Sequence, residues 1–236
     1  RPPRSTLSSS SAASDVYKRQ TYTYTDGNNC TDSAQEDITV LRDHHRSHAD
    51  IINYANTHFY NGTLRVATDY SKLNSPSKSA VRWIDVSGVV TRPTQGGALN
   101  EREGTRVVKE VKRLITNNYK GSIGIVTPFR AQANRIRDLI HQDHKLYDSL
   151  LNKDFLVDTV HKFQGDERDV IIFSMCLSDS IDSNLLKDKR KINVALSRAK
   201  KKLIVVGNWD LGNQYSIFNS LFKYVEDTES CKIIRI

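Results

Sequence analysis

The 236-residue sequence lacks several features that would assign it to a class of protein at once. It has no run of about 18 or more apolar residues, so no segment reads as a membrane span and we expect no membrane partner. Its three cysteines, Cys30, Cys176 and Cys231, are too few and too scattered for a disulfide framework. This sparse use of cysteine suits a reducing compartment, and we expect a cytoplasmic location, with the nucleus as an alternative.

Phosphate-binding loops are also absent from the sequence. Neither GxxxxGK(S/T) nor GxGxxG occurs, and no DExx block closes an apolar strand. A nest of backbone N–H groups needs a glycine-rich loop, whereas HKFQGDERD (residues 161–169) contains one glycine. The histidines of HHRSH (residues 44–48) lack the HExxH spacing, so we predict no metal site. The chain alone therefore offers no place for a nucleoside triphosphate tail or its magnesium ion.

The first twenty residues predict a tail that does not belong to the native protein. The peptide SSAASDVYKRQ (residues 10–20) is the translation of a widely used transposase sequencing adaptor, and RPPRST (residues 1–6) translates a flow-cell primer segment. We expect residues 1–20 to be non-native and disordered, with upstream coding sequence lost; a native Ser-rich tail is the alternative. Residues 1–20 carry four Lys/Arg and one Asp, so without them the net charge of +8 falls by 3 to +5. That mild basic excess is compatible with nucleic-acid binding.

From Glu36 onward, apolar runs alternate with amphipathic stretches. This alternation predicts an α/β fold, with a buried parallel sheet covered by helices on both faces. In such sheets ligands commonly bind beyond the carboxyl ends of the strands. The predicted strands span residues 80–86, 122–128, 155–160, 169–175 and 201–207, the helices include residues 50–60, 107–115, 133–140 and 215–225, and the loops include 87–99 and 145–153.

Four runs in order give the most specific signal: LRDHHRSHADI (41–51), GIVTPFRAQ (124–132), VDTVHKFQGDERDVIIFS (157–174) and RKINVALSRAKKKLIVVGN (190–208). Together they resemble the second RecA-like domain of superfamily 1 helicases, and most closely the 1B branch, which includes the Upf-type RNA helicases and related DNA helicases. The resemblance implies a RecA-like domain without its own phosphate loop. We assign this domain to residues 36–210, after an uncertain lead-in at 21–35 and before a tail at 211–236 that we expect to be truncated.

The resemblance implies that ATP and Mg²⁺ lie between two RecA-like domains of one polypeptide, and that the first domain holds most of both. Arg198, in ALSRA, and Arg46, in HHRSH, are then the arginines that reach the γ-phosphate from across the cleft. A fixed guanidinium stabilises charge on the phosphoryl oxygens, and arginines in this role contribute about 10³–10⁵ in rate. The alternative is that both are ordinary solvated surface charges.

Further site residues follow from the same resemblance. Glu167 is implied at the ribose, and His45 stands where the family commonly has a tyrosine that stacks on adenine; Asn193 is also expected to fix the loop that presents Arg198. Glu167 and Asp169 could instead simply pair or cap at a loop, and the basic residues at 187–202 could form a solvated face rather than bind phosphates. The implied nucleotide contacts are Gln164, Gly165, Glu167 and His45, and the implied contacts to single-stranded DNA or RNA are Thr127, Pro128, Gln132, Thr159, His161 and Asn193.

These patterns together predict the second motor domain of an ATP-dependent DNA or RNA helicase or translocase. The 1B branch implies movement from 5′ to 3′, and the fragment alone is expected to be inactive because it lacks a phosphate loop. A nuclease joined to the motor would have to lie outside this fragment. A non-catalytic module that binds nucleic acid or a partner is the other alternative. The missing loop favours it, and the presence of Gln164, Glu167 and Arg198 argues against it.

Overall fold

The computed structural model describes residues 17–25, 31–39, 43–69, 79–93, 97–163, 165–176, 188–212 and 216–235. Its centre is a six-stranded sheet in which every neighbouring pair of strands is parallel. The fold confirms the predicted parallel α/β sheet. From edge to edge the strands are β12 (Lys232–Arg235), β5 (Val81–Asp85), β11 (Ala199–Gly207), β10 (Arg168–Ser174), β8 (Ile123–Thr127) and β9 (Phe155–Thr159).

Both faces of the sheet are buried because its central strands consist mainly of apolar residues. Successive side chains of a strand point to opposite faces, so Ile172 and Phe173 of β10 enter two different cores. Phe173 lies beside Val205 of β11, which in turn lies beside Trp83 of β5. All four side chains are fully buried, and complete burial of one such side chain contributes about 1.5–3 kcal/mol.

Helices cover both faces of the sheet, as the sequence predicts. None of the helices in the described part of the chain is long and apolar enough to cross a membrane. The first core includes α2 (Glu101–Thr116), α3 (Arg130–Gln142) and α4 (His144–Leu151), the second includes α1 (Ala49–Phe59), α5 (Lys189–Leu196) and α7 (Ser216–Asp227), and the short α6 (Trp209–Gly212) follows β11.

Two segments differ from the expectation. The loop predicted at 145–153 contains most of α4, which Asp143 caps by accepting a hydrogen bond from the Leu146 N–H at 3.1 Å. A helix of eight residues is too short for its apolar period to be recognised in the sequence. The apolar end of the chain, predicted as a tail, contains β12, where Ile234 lies beside Ile84 of β5. Such a short apolar run does not identify a strand by itself.

Three pairs of strands lie outside the central sheet. In the antiparallel pair formed by residues 17–25 and 31–39, Tyr17 to Gln20 pair with residues 36–39, although residues 1–20 were expected to be disordered. The Thr- and Tyr-rich run 21–25 has high strand propensity, and the strand extends through these four residues. Residues 1–16 lie outside the described residues, and the non-native origin of residues 1–20 stays a prediction. The pairs are β1 (Tyr17–Thr25) with β2 (Thr31–Thr39), β3 (Asp43–His44) with β4 (Arg65–Val66), and β6 (Val90–Thr91) with β7 (Leu99–Asn100).

A short crossover, residues 160–167, connects β9 to β10. These strands flank β8 on its two sides, so the crossover passes over β8. Its Phe163 is fully buried against Gly124 of β8, where a Cβ atom would come within 2.8 Å of the Phe163 ring. The glycine therefore permits this close approach. Because the strands are parallel, the crossover runs from the edge where strands end to the edge where they begin.

Candidate functional site

The amino edge of the sheet, where its parallel strands begin, gathers the predicted catalytic arginines. β10 and β11 begin side by side, since Arg168 lies opposite Ala199. Glu167 directly precedes β10, Arg198 directly precedes β11, and Arg46 lies in the loop between β3 and α1. The structure thus brings these three residues together. This is not the carboxyl edge, where ligands of parallel sheets commonly bind.

Glu167 is the anionic centre of this cluster. Arg46 Nη1 donates to Glu167 Oε2 at 3.0 Å, and Arg46 Nη2 donates to the Ser197 carbonyl at 3.2 Å. Lys200 Nζ lies 2.6 Å from Glu167 Oε1. Burial alone would raise the pKa of Glu167, but the hydrogen bonds and charges of Lys200 and Arg46 outweigh it and hold the pKa below its ordinary value. One ionised carboxylate is therefore shared by two cations.

Arg198 adds a third cation to the cluster. Burial lowers the pKa of its guanidinium and the charge of Arg46 lowers it further, while Glu167, Tyr60 and Asp166 act in the opposite direction. The Nε atoms of Arg46 and Arg198 are buried and have no hydrogen-bond partner among the residues that the structure describes. Positive charge and donors thus remain for an anion with several oxygen atoms.

The loop that carries Arg46 is fixed by hydrogen bonds on both sides of it. The His48 N–H donates to a carbonyl of β11 at 2.8 Å, and Thr68 Oγ1 donates to the carbonyl of the fully buried Ser47 at 2.8 Å. His44 Nε2 accepts from the Ser47 N–H at 3.0 Å. Burial, followed by the charge of Arg46, lowers the pKa of His44 and favours this accepting form. Arg46 is therefore presented by a preorganised loop.

The other predicted nucleotide contacts are His45, Gly165 and Gln164, and the structure describes only the first two of them. His45 is exposed, and its Nδ1 donates to the Ala67 carbonyl at 3.1 Å, so its predicted stacking role stays a prediction. Gly165 has a φ of +97°, which favours glycine, and a Cβ atom there would meet nothing within 4 Å. The glycine therefore serves the backbone conformation of the crossover rather than close packing. Gln164 lies outside the described residues.

Asn193 lies near the amino edge, at the turn that leads to Arg198, and its predicted contact with nucleic acid stays a prediction. It lies in α5, and its carbonyl accepts from the Ser197 N–H at 2.9 Å, at the turn that ends in Arg198. Its Nδ2 donates to the Tyr60 hydroxyl at 3.4 Å. The placement supports the expectation that Asn193 fixes the turn of Arg198, and it separates Asn193 from the other predicted nucleic-acid contacts.

The carboxyl edge holds the remaining predicted nucleic-acid contacts. Thr127 and Thr159 end β8 and β9 side by side. Thr127 and the following Pro128 are buried, and the Thr127 hydroxyl has no hydrogen-bond partner in the described part of the chain. Thr159 is half-buried and His161 is exposed. The structure thus leaves Thr159 and His161 accessible to a ligand and encloses Thr127 and Pro128.

Gln132 also lies at the carboxyl edge, but its amide is used inside the protein. The fully buried side chain accepts from the Asn100 N–H at 2.8 Å and donates to the Asn100 carbonyl at 3.1 Å. It also donates to Ser174 Oγ at 3.1 Å. These bonds join the first turn of α3 to the start of α2 and the end of β10. The geometry therefore favours a positioning role for Gln132 over the direct contact that the sequence predicted.

A comparison with protein families decides the class of this domain. A family model described as AAA domain matches residues 24–210. The chain belongs to the AAA domain family. It is 29% identical over 217 residues to an uncharacterized ATP-dependent helicase of Methanocaldococcus jannaschii, covering 84% of this chain and 31% of that protein. It is 30% identical over 205 residues to DNA polymerase alpha-associated DNA helicase A of Saccharomyces cerevisiae, covering 75% of this chain and 29% of that protein.

The chain thus spans less than a third of the length of these two curated relatives. A solved structure described as the C-terminal domain of a possible DNA helicase from Lactobacillus plantarum has a TM-score of 0.49 at 11% identity, covering 80% of this chain and 98% of that chain. The predicted resemblance to the second RecA-like domain of superfamily 1 helicases is confirmed by the family match and the helicase relatives.

Glu103 is a buried residue of this AAA domain that the sequence analysis missed. Its Oε2 accepts from the Cys176 N–H at 2.7 Å and from Ser174 Oγ at 2.9 Å, and its Oε1 accepts from Asn100 Nδ2 at 3.2 Å. Burial and the Glu103 carboxylate raise the pKa of the Cys176 thiol, which stays protonated. The spacing Asn-x-x-Glu before an apolar helix is similar to a capping box and could have indicated Glu103.

Three basic residues of the run at 187–202, namely Lys200, Lys201 and Lys202, do not share one surface of the AAA domain. Lys200 pairs with Glu167, whereas Lys201 pairs with a carboxylate of β10 at 3.2 Å. Lys202 is buried and donates to the Ser79 carbonyl. Strand alternation sends Lys200 and Lys202 to one face and Lys201 to the other, and each of the three is paired within the protein. The described residues exclude Lys187 and the side chains of Lys189 and Arg190.

Proposed function

We propose that this domain completes a composite ATPase site by presenting Arg198 and Arg46 to the γ-phosphate of ATP. A second RecA-like domain of the same polypeptide holds most of the nucleotide and its Mg²⁺. The observation that carries the proposal is the pair of buried Nε atoms without a partner in the described part of the chain, beside the shared carboxylate of Glu167. Planar guanidinium groups suit phosphate oxygens because they can donate two parallel hydrogen bonds.

The cluster fits a phosphate group better than a metal ion. Arg46, Arg198 and Lys200 supply three positive charges against the one carboxylate of Glu167. Among the described residues, no group of three or more His, Cys, Asp or Glu side chains could hold a metal ion. When bound, ATP supplies the phosphoryl group and Mg²⁺ offsets charge on its oxygens.

The proposed role of the arginines is electrostatic and positional. Their guanidinium groups stabilise the charge that develops on the phosphoryl oxygens. The backbone at both arginines is held in place, because the Arg198 carbonyl accepts from the Arg168 N–H at 3.1 Å and the Arg46 loop is fixed. A contribution of about 10³ in rate corresponds to about 4 kcal/mol.

Single-stranded DNA or RNA is proposed to bind at the carboxyl edge, through groups near Thr159 and His161. The crossover at 160–167 starts beside these residues and ends at Glu167, next to both arginines. A change in the binding of the single-stranded nucleic acid can therefore be transmitted along the crossover to the cluster of Arg46, Glu167 and Arg198. Translocation from 5′ to 3′ is the direction that the resemblance to the 1B branch implies.

The decisive test is the variant Arg198→Ala in the gene product that joins this domain to a phosphate-loop domain. We expect turnover of ATP stimulated by single-stranded nucleic acid to fall by about 10³-fold or more, with the thermal midpoint unchanged. The matched control Arg235→Ala removes an exposed arginine of β12 and should leave turnover unchanged. Unchanged turnover in folded Arg198→Ala protein would overturn the proposal.

Sequencing the source locus upstream of the Thr21 codon provides an independent check. A continuous reading frame with GxxxxGK(S/T) would supply the phosphate loop that the arginines need. A start codon near Thr21 without that loop would leave Arg198 with no phosphate in its own polypeptide. The non-catalytic binding module would then become the better interpretation.

A further inference from the structure

Helix α2 has an unusual distribution of charge. Two of its three carboxylates, Glu103 and Glu110, are buried, whereas four of its five cations are exposed and the fifth, Arg106, is half-buried. The third carboxylate, Glu101, is held by Arg135, with Nε–Oε2 at 2.7 Å. A solvated helix face normally mixes both signs of charge. The five cations of α2 are Arg102, Arg106, Lys109, Lys112 and Arg113.

The buried carboxylate of Glu110 pairs with two of these five cations and with an arginine of β5, so it cannot offset all of the positive charge. Arg106 lies 2.8 Å from its carboxylate, Arg113 3.0 Å and the buried Arg82 3.5 Å. The Arg82 side chain is 7% exposed, and its Nε and Nη1 have no hydrogen-bond partner within the described residues. Burial, followed by the charge of Arg113, lowers the pKa of nearby Lys202 to about 8. The surroundings of α2 therefore carry an excess of positive charge.

A groove with a volume of about 430 Å³ lies along the first half of α2. One wall is the segment after β5, which contributes Val86 and Ser87. The other wall is α2, which contributes Arg102, Arg106 and Lys109, together with Thr105 and the Glu101 carboxylate that Arg135 holds. The Arg102 guanidinium donates to the Ser87 carbonyl at 3.3 Å and joins the two walls. These cations recur at i, i+4 and i+7, so they share one face and follow the groove over about 10 Å of helix. The spacing offers successive contacts to a linear polyanion.

The groove begins near the carboxyl edge of the sheet, where α2 starts. Asn100 caps α2, and its backbone is bonded on both sides to the amide of Gln132, in the run that follows β8. Thr159 and His161 lie at the same edge of the sheet, at the end of β9, and three strands separate β9 from β5. A linear strand of nucleic acid that extends along this edge would reach the groove where α2 begins. The lining includes one large apolar side chain, Val86, and no aromatic side chain. Protein-binding hot spots are commonly centred on aromatic residues, so the lining favours a phosphate backbone over an acidic protein.

We propose that the groove along α2 binds the phosphate backbone of single-stranded nucleic acid and extends the footprint of the carboxyl edge by at least two contacts. The proposal rests on the proposed function in one respect, that the domain binds nucleic acid. It adds a surface on the first-core face of the sheet, remote from the arginine cluster. The contacts are electrostatic, so they stabilise binding at any base sequence.

The test uses the 236-residue chain and a fluorescently labelled single-stranded oligonucleotide, in DNA and RNA forms. Binding is measured by anisotropy over a series of salt concentrations. Each lost phosphate contact lowers the magnitude of the slope of log K against log salt by about 0.7 for single strands. The double variant Arg102→Ala, Lys109→Ala should therefore lower the slope by about 1.4. Lys109→Ala alone should lower it by about 0.7, and it preserves the bond from Arg102 to Ser87.

The matched control is the double variant Lys112→Ala, Lys120→Ala, which removes the same net charge outside the groove. Lys112 pairs with Asp143, between α3 and α4, and Lys120 is exposed beyond the end of α2. A lower slope for the groove variants alone supports the proposal. Equal losses in groove and control variants, or no loss in either, would overturn it, and the latter would favour an acidic protein as occupant. No binding by the parent chain would instead contradict the proposed function.

Discussion

The two edges of the central sheet use polar side chains in opposite ways. At the amino edge, Arg46 and Arg198 approach a carboxylate that they share with Lys200, and each keeps a buried Nε without a partner in the described chain. At the carboxyl edge, both ends of the Gln132 amide are occupied, and the Glu103 carboxylate accepts three hydrogen bonds. The amino edge has cationic donors without a partner in the described chain, whereas the carboxyl edge pairs most of its buried polar groups internally, with the Thr127 hydroxyl as an exception.

This difference distinguishes residues that bind a ligand from residues that position other groups, which the sequence motifs do not distinguish. An unpaired buried polar group costs about 1–3 kcal/mol, so two neighbouring guanidinium groups in this state are consistent with the proposed anion site. A paired network indicates a part of the structure that positions other groups. Arg46 and Gln132 both come from motif runs of the same family. Arg46 keeps one buried donor without a partner in the described chain, whereas Gln132 uses its amide to hold α2 to α3.

The largest effect that tests this contrast is the loss of Arg46 at the amino edge. Arg46→Ala should slow nucleic-acid-stimulated ATP turnover by about 10²–10³-fold, since it removes a preorganised donor for the transition state. Its free energy of unfolding should change by less than about 1 kcal/mol, because the ion pair with Glu167 is partly exposed. Stopped-flow phosphate release and thermal denaturation measure the two quantities.

A matched control for Arg46 is Arg65→Ala. Arg65 pairs with Asp43 on the same side of the domain, and its side chain is 77% exposed. It should alter neither turnover nor stability measurably. The contrast between the edges would fail if Arg46→Ala unfolded the domain, or if turnover were equal in the two variants.

A smaller effect, on stability, is expected at the carboxyl edge. Glu103→Ala leaves the Cys176 N–H and the Ser174 hydroxyl without their buried acceptor. We expect a loss of about 2–3 kcal/mol in the free energy of unfolding, which lowers the thermal midpoint by about 4–12 °C for a domain of this size. The control Glu101→Ala lies in the same helical turn but removes an exposed pair, worth about 1 kcal/mol or less. Equal midpoints for both variants would contradict the positioning role of Glu103.

The strands and long helices were predictable because their apolar residues form runs of strand length or recur at helical spacing. DVIIFSM and KKLIVVG are apolar runs of strand length, and the structure places β10 and β11 there. The helical stripe at Val107, Val111 and Leu114 is the buried face of α2. The order of four motif runs also identified the family before any contact was known. These features depend on local pattern, which is what a sequence records.

The roles of individual polar residues were less predictable because they depend on contacts between distant segments. Gln132 bonds to Asn100, which is 32 residues away, and Glu103 bonds to Cys176, which is 73 residues away. Lys200, Lys201 and Lys202 likewise lie in different environments, because strand alternation and burial place them apart, although the sequence predicted one basic cluster. Only the capping-box spacing of Asn100 and Glu103 gave a local hint, and it indicated a helix start rather than a buried network.

The smallest predicted effect concerns pH and the Glu167 ion pairs. The pKa of Glu167 lies below its ordinary value of 4.5 in the folded domain, so the pairs add stability above that pH and lose it as the pH falls through the lower folded pKa. At pH 7, Glu167→Gln should therefore lower the thermal midpoint by at most about 4 °C, because a third of the side chain is exposed. The difference from the parent chain should shrink below pH 4.5. The exposed Glu229→Gln serves as control, and a difference that persists at low pH would show that Glu167 stabilises by packing rather than by charge.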